Sequence, residues 1–342
     1  MSGWKSCSEI VNATEWDENL ALAADHTVFQ SYGWGEYKRA AGWEPLRYWY
    51  RDKDGRVQGM AQFLRKKLPF GIALLWAAGG PALAFSSKNL DKTSELIKGL
   101  LDVLGTDCPR SLIRFQSHLS HDSSRVFNIN KVCHRPSVKL NSGYSIGIEL
   151  DSLDEAAFRK QMTAKHRYYT KKASEAGICW SVGNGDQQLR ELATLHREMV
   201  DAKKLESIAT SYEDLERMRN AMGDHVLIIN GCLNDVPVTS CLVLLFGKKA
   251  FYMVASTGEK GREVSAAYAM VEELVKQLRE RGISHFDFGG IDPVNKSASG
   301  VNHFKCGFGG QLTEYVGEWE SANSGFIQWA LNFAIRQRGG RV

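Results

Sequence analysis

The sequence predicts an α/β protein with mixed sheets, built as two tandem units of one kind and closed by a C-terminal helix. Three observations carry this. Short alternating apolar runs recur beside longer stretches of helical period. The order hairpin, strand, helix, strand occurs twice along the chain. The length, 342 residues, suits two domains, and 43% hydrophobic with 24% charged residues is a globular composition.

In the first half a helical pattern over Asn19–Gly42 leads to a hairpin. Its strands are Leu46–Tyr50 and Val57–Leu64, turning at Asp52-Lys-Asp-Gly55, a strong turn signal between alternating runs. A strand over Ile72–Ala77 runs into Gly79-Gly-Pro81, then a helix over Asp91–Leu104 leads to the strand Ser111–Phe115. In the second half Ser152-Leu-Asp-Glu155 reads as a capping box opening a helix that ends near Gly177. A strand over Ile178–Val182 and helices over Gln187–Ala202 and Ser211–Met222 follow. The next hairpin pairs Val226–Asn230 with Val238–Phe246, turning at Asn234-Asp235, with Pro237 at the mouth of the returning strand. A strand over Ala250–Ala255, a helix over Ser265–Arg281 and a strand over Ser284–Phe288 complete the repeat. The expected domains are therefore 1–150 and 151–320, with a helix over 321–342 packing on the first.

A net charge of +4 permits an anionic partner without demanding one. The seven cysteines (7, 108, 133, 179, 232, 241 and 306) are scattered and form no C-x-x-C, which speaks against a disulfide framework and against a zinc site. Metal-independent chemistry in a reducing compartment is the expectation. The first ten residues hold no apolar core of a signal peptide, and no run has the length to span a bilayer, so a cytoplasmic location is expected.

Special residues concentrate in Phe286-Asp-Phe-Gly-Gly-Ile-Asp292 and Asn302-His-Phe-Lys-Cys-Gly-Phe-Gly-Gly310. An alternating strand is expected to stop at the Gly pair, and a Gly/Ser loop to deliver Lys305 between aromatics and further glycines. Lys305 suits an anion or carbonyl contact. Cys306 reads as a spectator, since only His303 lies close in sequence as a base.

Hairpin, strand, loop, helix, strand is the core order of the GCN5-related acyltransferase (GNAT) fold, whose loop before the helix holds a pyrophosphate on backbone N–H groups. That loop here is Thr257–Ala266. Its acyl-CoA pattern is matched only degenerately, by Arg262, Ser265 and Ala267.

Three segments together resemble the Fem family of aminoacyl-tRNA-dependent peptidyltransferases, which are built from two GNAT-like domains. The first is Phe29-Gln-Ser-Tyr-Gly-Trp34 with Lys38 four residues on. The second is the basic stretch Arg167–Gly177, of the form R-x-x-x-K-K-A-x-x-x-G. The third is Asp287–Asp292 followed by Phe304-Lys-x-Gly-Phe-Gly-Gly310. The resemblance implies an amino acid moved from aminoacyl-tRNA, as co-substrate, to an amine of a peptidoglycan or other cell-envelope precursor carrying a diphosphate. It implies no further cofactor and no metal. It implies that Lys38, beside Trp34, meets the diphosphate, that Phe304 and Lys305 lie near the aminoacyl group, and that Tyr252 contacts substrate. Where the family often carries an Arg, this chain has Lys203 or Lys204, and Lys cannot reproduce a bidentate clamp. The long helical arm of some members is missing from the sequence.

Aminoacyl transfer needs a neutral amine, aligned reactants and a stabilised oxyanion. Lys305 suits the last of these. Asp287 and Asp292 each read either as a group that deprotonates or orients the amine, or as a turn cap. The stretch Arg159–Lys172 is basic, holds Tyr168 and Tyr169 and no acid, and reads as an RNA contact through Lys165, Arg167, Lys171 and Lys172, or as a solvated helix face. Gly325–Arg338 reads as a helix packed on the first domain, with peripheral contact at the inner face of the plasma membrane as the second reading. Two other functions stay open: an acyl-CoA-dependent N-acyltransferase using acetyl-CoA or another acyl-CoA on a nucleotide-sugar, polysaccharide or natural-product amine, and a non-catalytic nucleotide-sugar or RNA-binding protein.

Overall fold

The computed structural model describes residues 3–86, 90–151, 153–203, 210–294 and 298–338. The chain forms two compact units, Met1–Gly143 with Glu314–Val342, and Tyr144–Thr313.

In the first unit the strands β1 (Gly3–Ser6), β2 (Glu44–Arg51), β3 (Val57–Lys67), β4 (Ala73–Ala77) and β5 (Ser111–Ser120) pair in that order. The pairs are antiparallel except β4 with β5, which is parallel. The last strand of the chain, β12 (Gln311–Ala322), then pairs antiparallel with β5. A parallel pair needs a crossover, and helix Thr93–Asp107 supplies it. Its Leu96, Ile97, Leu100, Leu101 and Leu104 recur at helical spacing and pack on Tyr48, Phe63, Leu75, Ile113, Phe115 and Trp319. Because side chains alternate along a strand, Leu74 and Leu112 face the other side, where Ile335 of the C-terminal helix Gly325–Gln337 covers them.

That second face also holds Arg114, fully buried. Its guanidinium donates to Glu318 Oε2 (3.0 Å) and to the Val138 carbonyl (2.5 Å), and lies 3.6 Å from Glu320. Glu318 also accepts from the N–H groups of Leu140 and Asn141, and Glu320 from Gln328 and Asn332 of the C-terminal helix. Buried charges survive only when paired and hydrogen-bonded, and here strand, loop and helix all contribute.

The second unit repeats the pattern. The strands β7 (Cys179–Gly183), β8 (Val226–Leu233), β9 (Val236–Phe246) and β10 (Lys249–Thr257) are antiparallel neighbours. The last of them pairs parallel with β11 (His285–Ile291), which pairs antiparallel with β6 (Tyr144–Glu149). The crossover helix Ala266–Glu280 sets Met270, Val271, Leu274, Val275 and Leu278 on Ile146, Ile148, Ile229, Val243, Phe286 and Phe288. Asn234 and Asp235 both take positive φ (48° and 63°) in the β8–β9 turn, a conformation their short polar side chains tolerate.

The differences from the sequence reading have local causes. The stretch Asn19–Gly42 is not one helix: Asn12 caps Ala13–Leu20, and Ser31 caps Tyr32–Ala40 by accepting from Trp34 N–H, with a 3₁₀ turn at Val28–Gln30 between them. Ser152 lies outside the described residues, and Asp154 caps the next helix by accepting from Ala157 N–H. That helix, Glu155–Gln161, ends at Met162, and Thr163 caps a second, Ala164–Ser174. The strand carrying the Gly pair does not stop there but bulges and resumes to Ile291. The expected Gly/Ser loop contains the helix Ser299–Cys306, so Lys305 stands on a helix. The strands β1, β6 and β12 and the helix Ser123–Ile129 were not anticipated. The strand β6 groups with the second unit and Glu314–Val342 with the first, so the division falls before Tyr144 rather than near Leu150.

Replacing one partner of a buried ion pair leaves an uncompensated charge, at a cost of about 3–5 kcal/mol. Glu318→Ala should lower the stability of the first unit by about that amount in urea unfolding followed by circular dichroism. A loss below about 1 kcal/mol would show that Arg114 is adequately held without it.

Candidate active site

In the second unit the parallel strands β10 and β11 pair only over Lys249–Phe251 with His285–Asp287. Both run on, β10 through a bulge after Tyr252 and β11 through one between Asp287 and Gly290. Gly289 takes φ +76° in the second bulge, and a Cβ there would sit 3.2 Å from the Phe251 ring, so glycine is required. The carboxylate of Asp287, buried beneath this bulge, accepts from Gly289 N–H (2.6 Å) and from the Ser145 hydroxyl.

Lys305 projects from the last turn of Ser299–Cys306, and its Nζ donates to the Gly290 carbonyl at 2.8 Å. Its helix is fixed from the other side by His166. The His166 Nε2 lies 3.0 Å from the Phe304 carbonyl oxygen, and Nδ1 lies 2.8 Å from Thr163 Oγ1. A carbonyl can only accept, so Nε2 carries the hydrogen, and the Thr163 hydroxyl donates to Nδ1. The Thr163 hydroxyl oxygen accepts in turn from His166 N–H, and Thr163 N–H donates to the Gly307 carbonyl (2.9 Å). The carbonyls at a helix end lack intrahelical donors, and two of them are met here by one cap and one imidazole.

The His166 ring is fully buried, centred 5.0 Å from Tyr268 and 4.8 Å from Phe308. Phe304 joins the same cluster, 5.3 Å from Tyr268 and 5.1 Å from Phe308. Gly307 makes room for the imidazole: a Cβ there would lie 1.9 Å from its Cε1. Burial holds the His166 pKa below its ordinary 6.5, against the pull of the Phe304 carbonyl and with help from His303 and Lys165. Burial likewise holds the Lys305 ammonium below its ordinary 10.5, with the charge of Asp287 opposing.

The other expected residues fall in several places. Asp292 caps the turn after β11 by accepting from Val294 N–H, while the Asn302 side chain bonds its N–H and carbonyl. Tyr252 is half-buried against Phe286 and Phe288, and burial raises its pKa well above 10. The helix Ala164–Ser174 does not present a uniform basic face. Lys165 and Lys171 are exposed, the latter 3.9 Å from Glu175. Arg167 bonds the carbonyls of Lys160 and Met162, and Lys172 that of Glu263. Lys203 ends the helix Asp186–Lys203, but its side chain, like all of Lys204, lies outside the described residues. In the Thr257–Ala266 loop, Glu259–Glu263 winds into a helical turn and Arg262 bonds the Thr257 carbonyl (2.9 Å).

In the first unit, the expected motif divides its labour. Gln30, fully buried, bonds both main-chain groups of Gln62 and the Ala78 carbonyl, tying its turn to β3 and to the end of β4. Ser31 caps the helix that carries Trp34 and Lys38. The Lys38 ammonium lies 4.8 Å from the Trp34 ring centroid and 4.5 Å from that of Tyr37. The Trp34 Nε1 is a buried donor with no hydrogen-bond partner among the described residues. A cation beside an unmet donor is a place for an acceptor-rich ligand.

Sequence reasoning placed His166 in a basic stripe and missed its inward turn. The signal was there: Thr163 three residues before it is a capping residue, and a helix whose cap is Thr163 puts His166 on its first turn. Ser145 was also missed as a support, because its partner Asp287 is far away in sequence, and Thr163 and Asn302 were missed although His166 and Asp292 are near.

The FemAB family profile matches residues 183–335. The chain is 24% identical to the lipid II:glycine glycyltransferase of Staphylococcus aureus, covering 86% of this chain and 87% of that one. The crystal structure of FemX superposes with a TM-score of 0.78 at 17% identity, over 97% of this chain and 99% of that chain. A tandem GNAT protein from the clavulanic acid biosynthesis pathway superposes with a TM-score of 0.52 at 11% identity, over 95% and 98%. These likenesses show that the fold is that of FemX and of tandem GNAT proteins.

Two outcomes test the support of Lys305. Gly307→Ala forces the imidazole aside and should destabilise the second unit by about 1–3 kcal/mol in urea unfolding, whereas no change would mean the ring has room to move. The folded pKa of His166 lies below the unfolded one, so between the two the unfolded chain binds more protons and stability rises with pH. Second-unit stability should therefore fall as pH drops below 6.5, and His166→Gln should flatten that part of the stability–pH profile. An unchanged profile would show that His166 titrates alike in both states.

Proposed function

We propose, for a chain that these matches support as a Fem-family protein, that it is an aminoacyltransferase acting on a peptidoglycan precursor. The finer reading is that the amino acid comes from aminoacyl-tRNA. The observation that carries it is Lys305, a half-buried cation held on Gly290 by a packed helix where β10 and β11 part. In such a transfer the acceptor nitrogen bonds the ester carbonyl carbon, the bond to the tRNA ribose oxygen breaks, and that oxygen leaves with a proton. The carbonyl oxygen gains negative charge on the way. Lys305, moving its donor from the Gly290 carbonyl to that oxygen, would stabilise it, and an ester already activated needs little beyond this and alignment. Asp287, already holding Gly289 N–H, fits an orienting role beneath the bulge. In the first unit Lys38 and the Trp34 indole N–H would hold the acceptor's diphosphate. Exposed Lys165 and Lys171 would lie against the RNA.

A second reading, acyl-CoA as donor, keeps one observation in its favour. The helix Ala266–Glu280 begins at Ser265 in the left-handed region with no side-chain cap among the described residues, so its first N–H groups could meet a pyrophosphate. Arg262, the basic residue of the matched acyl-CoA pattern, is turned to Thr257 instead.

Labelled amino acid should pass from charged tRNA to a lipid- or nucleotide-linked precursor and stop with ribonuclease, while acetyl-CoA is not consumed. Consumption of acetyl-CoA with no effect of ribonuclease would favour the second reading. Lys305→Ala should lower kcat by about 10²–10³ with the fold intact. Because burial holds the Lys305 cation below its ordinary 10.5, wild-type activity should fall with rising pH earlier than a free lysine would dictate. Lys305→Arg, charged throughout, should lack that limb, and a wild-type profile flat to the lysine range would remove the ammonium from the mechanism.

A further inference from the structure

The outward face of the C-terminal helix has no role in anything above. Its inward face packs on the first unit: Ile327 and Ile335 are buried, and Gln328 and Asn332 each donate to Glu320 Oε1 at 2.9 Å. Outward stand Phe326, Trp329 and Phe333, exposed by 70%, 64% and 52%. Their rings form one row, with centroids 6.1 Å and then 5.9 Å apart, the second pair stacked. A helix lying on a soluble domain ordinarily turns polar residues outward, and this one turns out three aromatics at helical spacing.

Within the C-terminal segment the charge has one sign, and the Glu320 carboxylate beneath the helix is met by Gln328, Asn332 and Arg114. From Gly325 to the last residue there is no Asp or Glu, while Arg336, Arg338 and Arg341 are cationic. Trp43 packs against the cluster of Leu74, Leu112 and Ile335, and the Lys66 ammonium of β3, which donates to the Gly42 carbonyl, lies 5.6 Å from that ring and adds a cation to the same face of the sheet. The turn that ends β3 holds Phe70 outward with 85% exposure. Two copies laid face to face would bring only cationic segments together. An anionic surface meets both the aromatics and the charge. The helix has 13 residues, fewer than the roughly 20 needed to span a bilayer, and no helix among the described residues is long and apolar enough to cross one.

We propose that this helix is a membrane-docking element lying in the plane of an anionic bilayer. Phe326, Trp329 and Phe333 enter the boundary between headgroups and acyl chains, and Arg336, Arg338 and Lys66 meet headgroup phosphates. The proposal stands apart from the transfer reading, since it rests on none of the residues given a role there.

The test is co-sedimentation of the full chain with phosphatidylglycerol vesicles and with phosphatidylcholine vesicles. The wild type should pellet with the former and be released by salt. Phe326→Ser with Trp329→Ser and Phe333→Ser should weaken binding by about tenfold or more, and Arg336→Gln with Arg338→Gln should weaken it on anionic vesicles alone. Trp329→Ser by itself should show a smaller loss, and it serves if the triple variant does not fold by circular dichroism. Absence of wild-type binding, or equal binding by the aromatic variants, would overturn the proposal. So would a wild-type dimer that ignores vesicles and becomes monomeric in the triple variant, which would assign the face to a second copy. Transfer to a water-soluble acceptor should be unchanged in the triple variant, and failure of transfer in the wild type would leave the vesicle result standing.

Discussion

The hydrogen bond from His166 to the Phe304 carbonyl is the constraint on which the second unit's site depends. It joins the first turn of one helix to the last turn of another that is remote in sequence. Without it the carbonyl would be a half-buried acceptor at a helix end, and the imidazole a buried donor. With it, the next residue, Lys305, has a defined origin for its side chain and reaches Gly290. Gly307 and the Phe304, Phe308 and Tyr268 rings form the slot in which the imidazole fits. Burial keeps that imidazole neutral near pH 7, as the Nε2–H tautomer demands.

The two units share a strand order and differ in what they do with it. Each has a run of antiparallel strands, one parallel pair bridged by a helix, and a further antiparallel strand beyond the pair. In the second unit the further strand precedes the rest in sequence, and in the first it arrives last, after the second unit is complete. The first unit's motif is mostly scaffold: Gln30 braces β3 and the end of β4, and Ser31 caps the helix that carries Trp34 and Lys38.

Much of this was legible because it is local. Both hairpins, both crossover helices and the C-terminal helix follow from turn residues and period, as Asn234-Asp235 and the Leu96–Leu104 spacing show. What was not legible depends on partners distant in the chain. The strands β6, of six residues, and β12, of twelve, find their partners β11 and β5 far away in the chain. Ser299–Cys306 looks like loop by its Gly and Ser content, yet it is helical because Phe304 packs into an aromatic cluster and His166 and Thr163 close its end. Cationic residues misled most: Arg167 and Lys172 belong to helix ends and carbonyls, and His166 to the interior.

The central claim is that Lys305, held by this clamp, meets the carbonyl of the transferred aminoacyl group. A crystal structure with a non-hydrolysable aminoacyl-adenosine amide tests it most directly. The account predicts the amide carbonyl oxygen within hydrogen-bond reach of Lys305 Nζ, with the bond to Gly290 released and the His166–Phe304 bond kept. An analogue seated elsewhere, with Lys305 still on Gly290, would contradict it.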